Sequence, residues 1–143
     1  MKNSVKIFVT AVLIGSAGLQ SCTKEKQQEI AYKLAENYIN EGKWKVSSFK
    51  EDDKDETGHF DGYVFVFNTD NTVTATKGNS TVKGTWSTGT DNSKTKMNIN
   101  FSSAPLDELS EDWIIVNGSK SSIELKHVSG GDGGTDYLTF QKI

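Results

Sequence analysis

The sequence predicts an all-β fold: an eight-stranded antiparallel up-and-down barrel preceded by a short helix. Three observations carry this. From residue 43 onward the apolar positions recur at every second residue, the period of a half-buried strand. Eight such runs are separated by short pieces rich in Gly, Asn, Asp and Ser, such as "NTDN", "KGN", "TDNS", "NGSK" and "SGGDGG", which are turn formers. Links this short join antiparallel neighbours, and a meander of eight strands, each with one apolar face, removes its exposed edges by closing.

The strands follow in order. "KWKVSSF" sets Trp44 and Val46 against Lys43 and Lys45. "GYVFVFN" is apolar on both faces, with Tyr63, Phe65 and Phe67 opposite Val64 and Val66. "TVTATK" places Val73 and Ala75 on one face, and "TVKGTWS" groups Val82, Gly84 and Trp86. "KMNINFS" alternates Met97, Ile99 and Phe101 with asparagines, and "WIIV" is continuous. "SIELKHV" aligns Ile123, Leu125 and His127, and "DYLTFQKI" sets Leu138 and Phe140 opposite Tyr137 and Thr139. An eight-stranded barrel has an interior that side chains just fill, or that holds one small ligand.

Ahead of the strands, "IAYKLAENYINEGKW" spaces Ile30, Leu34 and Tyr38 four apart, with Ala31, Ala35 and Ile39 beside them. That stripe predicts a helix over 30–41, stopped by Gly42. It either docks on the barrel or plugs its end; both bury the same face. Residues 22–29 are polar and suit a tether. Residues 1–21, "MKNSVKIFVTAVLIGSAGLQS", put Lys2 and Lys6 before an apolar run from Ile7 to Leu19. This is the pattern of a secretory signal peptide, too short for a transmembrane helix.

The lone cysteine, Cys22, follows that run directly and has no internal disulfide partner. "LQSC" resembles the lipobox of bacterial lipoproteins through Leu19, Ser21 and Cys22, with Gln20 a departure. The resemblance implies acylation of Cys22 and cleavage before it, which gives a membrane anchor because several acyl chains hold where one does not. Removing residues 1–21 takes two lysines and no acids, leaving 14 lysines against 19 acids and a net charge of −5. Attachment would then rest on the lipid, not on attraction to an anionic surface.

With lipobox, helix, "GKW" at 42–44 and strands to the C-terminus in that order, the sequence resembles the lipocalin-like domains of small Bacteroidetes lipoproteins. A second "GTW" at 84–86 fits the same type. The resemblance implies a lipid-anchored barrel at the outer membrane that binds a small hydrophobic molecule. The chain from Gly42 onward is short beside full lipocalins, and no arginine exists to cover the first-strand tryptophan; a lysine or the helix is expected to cover Trp44 instead. The pocket candidates are Trp44, Phe65, Phe67, Trp86, Phe101 and Trp113. The alternative is an interaction module, a subunit or inhibitor, built on a filled barrel.

The 143 residues suit one domain. With a net charge of −3, no arginine and no basic block, the chain lacks the clustered positive face that nucleic acid demands. No catalytic or phosphate-binding motif stands out, and the chain is read as a non-enzyme. His127 is expected as a hydrogen-bonded histidine near a strand end. The densest acidic cluster is "EDDKDETGHFDG" at 51–62. Asp53, Asp55, Thr57 and Asp61 stand at positions 1, 3, 5 and 9 of a calcium-loop pattern, but Val64 occupies the place of its bidentate acid. The cluster is either a solvated hairpin loop or a calcium site. Between the fifth and sixth strands, Leu106 and Leu109 are expected to cap the barrel or to form a lid.

Overall fold

The alternation becomes eight long strands and closes as expected. The structure, a computed structural model, describes residues 24–92, 94–131 and 133–143. The expected signal segment 1–21 and Cys22 lie outside the described residues. In chain order come helix α1 (Lys24–Ile39), β1 (Trp44–Glu51), β2 (Lys54–Asp55), a 3-10 turn η1 (Thr57–Phe60), β3 (Val64–Phe67), β4 (Thr72–Lys77) and β5 (Ser80–Asp91). Then follow β6 (Lys94–Asn100), a second 3-10 turn η2 (Leu106–Leu109), β7 (Asp112–Gly118), β8 (Ser122–Val128) and β9 (Thr135–Lys142).

Every neighbouring pair from β3 to β9 is antiparallel. The barrel closes where β1 meets β9, from Trp44 opposite Lys142 to Lys50 opposite Tyr137. On its other side β1 meets β3 through a single residue pair, Trp44 with Phe65. The two-residue β2 is an annex folded back on the end of β1. Its turn residues, Asp52 and Asp53, both take positive φ, 47° and 67°, as a tight hairpin of primed type requires and aspartate tolerates.

Two slips in register decide which side chains enter the barrel. Along β1, Trp44 and Val46 point inward, but the next buried residue is Phe49. The ladder to β9 shifts between Val46 and Ser48, and one extra residue reverses the inside–outside phase. A second shift in β7, between Ile115 and Asn117, follows buried Trp113 and Ile115 and leaves Gly118 buried.

The helix starts at Lys24, earlier than the expected start at residue 30, and ends at Ile39, before the expected 41. Part of the expected tether 22–29 is therefore helical; Lys, Glu and Gln are good helix formers. The helix packs chiefly on β7 and touches β6. Ala35 and Ile39 are buried in the same apolar cluster as the barrel interior, so the helix covers an end of the barrel. Gly42, with φ of +85°, turns the chain from helix into β1.

Candidate functional site

The aromatic residues expected to line a pocket are buried, and all but Trp44 pack edge-to-face on another ring. Trp44, Phe65 and Trp113 are 0% exposed and Phe67 1%, while Phe101 and Trp86 show 4% and 6%. Phe65 meets Phe140 edge-to-face at 5.3 Å and Phe101 at 6.4 Å. Phe67 meets Phe140 at 5.3 Å and Trp86 at 5.7 Å, and Phe49 meets Trp113 at 6.3 Å. These are the favoured aromatic geometries. Each indole N–H is also spent on a backbone carbonyl at 2.9 Å: Trp44 on Ile39, Trp86 on Asn68 and Trp113 on Leu109. The three tryptophans thus pin the helix end, the β3–β4 turn and η2 to the barrel.

The segment between β6 and β7 is a cap. Leu106 and Leu109 are 1% and 0% exposed and belong to the core cluster. The Ser110 hydroxyl accepts from the Phe101 N–H and donates to the Phe101 carbonyl, at 2.8 and 2.9 Å.

The acidic stretch 51–62 is built by other uses of its oxygens. The Thr57 hydroxyl first, and then the Thr57 N–H that donates to the Asp55 carboxylate at 3.0 Å, hold Asp55 below the usual carboxylate range. Thr57 Oγ1 accepts from the Phe49 N–H at 2.9 Å. Asp53 sits at the hairpin tip, and Asp53, Asp55 and Asp61 form no convergent trio of carboxylates among the described residues. In the same segment His59 bridges two acids: Nε2 lies 3.0 Å from Glu56 and Nδ1 2.9 Å from Glu108. Glu108 first, then Glu56, raise His59 above its ordinary value. Its ring ties η1 to η2.

The thin junction between β1 and β3 leaves an open depression of about 490 Å³ on the barrel's side, lined by Val46, Ser47, Phe60, Tyr63, Val64 and Ile143 among others. Phe60 and Val46 form its apolar floor at 2% and 8% exposure. Lys77 stands 5.1 Å over the Tyr63 ring at its edge.

A second group of functional side chains gathers at the start of β7. The β7–β8 ladder pairs Ile114 with Lys126, which brings Glu111 and Asp112 beside His127 at the end of β8. His127 Nδ1 lies 3.4 Å from one oxygen of each acid. Across the β6–β7 ladder Lys96 bonds the other Asp112 oxygen and lies 3.5 Å from Asp91. That bond to Lys96 is the main cause holding Asp112 below the usual carboxylate range, and Asp112 in turn raises Lys96. A depression of about 320 Å³ opens beside Lys96, Asp112, Ile114 and Val128. The sequence predicts a hydrogen-bonded His127 on an inward-looking face near a strand end; its side chain is 14% exposed, and Nδ1 has no hydrogen-bond partner among the described residues. Sequence reasoning missed Glu111 and Asp112. The signal was the acid pair in "SEDW", with Asp112 fifteen residues before His127, legible only with the strand register known.

No family model matches the sequence, and no curated protein matches it. Among solved structures the chain is similar to a DUF4847 family protein from Bacteroides vulgatus ATCC 8482, with a TM-score of 0.51 and 20% sequence identity. The likeness covers 76% of this chain and 96% of that one, and at this identity it speaks for the barrel fold alone.

Proposed function

We propose that the protein is a lipocalin-like lipoprotein, anchored to the outer membrane through acylated Cys22, that works as a protein-interaction module on a filled barrel and not as an enzyme. The observation that carries the reading is the interior. The residues expected to line a ligand pocket are nearly all out of water, five of the six lie edge-to-face with another ring, and every indole N–H is already used. Contacts with a partner then fall to the outer face and loops, among them the concave junction between β1 and β3. The lipobox-like "LQSC" supports the anchor, and the absence of a recognisable nucleophile–base motif supports a non-catalytic role.

A second reading has one observation in its favour. The depression between β1 and β3, about 490 Å³, falls in the size range of small-molecule sites, so a small apolar molecule would bind at the barrel's side.

Native mass spectrometry of the full chain from detergent, before and after exposure to a lipid extract, separates the two. A bare protein mass in both supports the filled barrel; a reproducible one-to-one adduct favours the carrier. Cell fractionation tests the anchor: Cys22→Ser should move the protein into the soluble fraction, and retention in the membrane would overturn the lipid attachment.

A further inference from the structure

We propose that Glu111, Asp112 and His127 form a zinc-binding site with one open coordination position. His127 Nδ1 is shielded from water and has no partner in hydrogen-bonding geometry among the described residues, although Glu111 Oε2 and Asp112 Oδ1 each stand 3.4 Å away. All three atoms lie within 4.8 Å of one another. A buried polar atom left in this way calls for an occupant. An imidazole nitrogen facing two carboxylate oxygens is satisfied by a cation between them.

The donor set points to the cation, and the two spacings from His127 suit it. Zinc bonds nitrogen and carboxylate oxygen at about 2.0–2.2 Å in a tetrahedron, which sets neighbouring ligand atoms about 3.4 Å apart. Calcium and magnesium take oxygen ligands, so a set that includes imidazole points away from them. Three protein ligands leave the fourth position to water, and Glu111 and Asp112, 46% and 45% exposed, place it on the solvent side.

The surroundings suit a dication. Lys96 takes the far oxygen of Asp112, which leaves Oδ1 turned to His127. Glu111, Asp112 and Asp91 against Lys96 give a local charge of −2. The imidazole is held by the edge of Trp113, 6.1 Å between centroids, and Trp113 is itself tied to Leu109. Such outer support fixes the orientation of a metal-binding histidine.

The test is calorimetric titration of zinc chloride into the untagged full chain in detergent, with Glu111→Gln and His127→Gln alongside. One zinc per chain is expected, with each substitution weakening affinity roughly tenfold or more. Absence of binding below millimolar zinc, or variants that bind as tightly as the wild type, would overturn the site. Circular dichroism checks that the variants fold; if His127→Gln does not, the exposed Glu111→Gln decides alone. Cobalt substitution gives a second readout: the intense visible absorption of tetrahedral cobalt is expected, and binding with only the weak spectrum of octahedral cobalt would overturn the geometry.

Discussion

The indole N–H of Trp44 donates to the Ile39 carbonyl at 2.9 Å, so the first residue of the barrel holds the last residue of the helix. The Lys142 ammonium lies 5.7 Å over the same ring. Helix and lysine together cover the tryptophan in a chain that has no arginine to do so. Trp44→Phe keeps most of the ring and removes the donor, leaving a buried carbonyl unpaired. A loss of about 1–3 kcal/mol in urea unfolding is expected, with faster amide exchange in α1. Unchanged exchange there would show that the bond does not hold the helix.

Phe65→Ala opens a cavity among Phe101, Phe140 and the other inward aromatics. The expected cost is about 3–5 kcal/mol. A loss under about 1 kcal/mol would mean that the interior is loosely filled, and the carrier reading would gain.

Gly84 faces Phe101 across the β5–β6 ladder. A Cβ there would lie 2.7 Å from the Phe101 ring and closer still to the Asn100 carbonyl oxygen. Gly84→Ala should therefore destabilise by about 1–3 kcal/mol through overpacking. The control is Gly89→Ala on the same strand, where a Cβ meets nothing within 4 Å among the described residues, and thermal melts of the pair make the comparison.

His59 gives the loops a pH dependence of known sign. Its ring faces Glu108, Glu56 and, farther off, Lys54. Because the folded value is raised above 6.5, charged His59 contributes its full stabilisation below 6.5. The contribution fades as pH rises through the raised value. Melting temperature followed from pH 6 to 9 should fall more for the wild type than for His59→Gln. Parallel curves would show that the bridge carries no stability.

Calcium should leave the fold unmoved at Asp53, Asp55 and Asp61, whose carboxylates do not converge. A melting temperature raised by millimolar calcium and restored by Asp55→Asn would bring the calcium loop back.

Much of the barrel was legible because strand alternation is local. The runs over 72–77 and 122–128 match β4 and β8 to the residue, since each has a clean period of two between turn formers. The phase of β1 beyond Val46 was not legible, because the slip that buries Phe49 arises from pairing with β9 at the far end of the chain. The hairpin inside 51–62 is not legible as strands. Its β2 has only two residues, Lys54 and Asp55, both exposed, so no alternation marks it.

By itself the sequence determined the eight strands that form the barrel, their antiparallel order and the residues that face inward along each clean run. Period and turn chemistry act between near neighbours, and the chain records them directly. The tertiary structure decided the rest. Closure set Phe65 and Phe67 edge-to-face against Phe140. Register between β7 and β8 brought Glu111 and Asp112 to His127. Both depend on distances between residues far apart in the chain, and no local pattern encodes those.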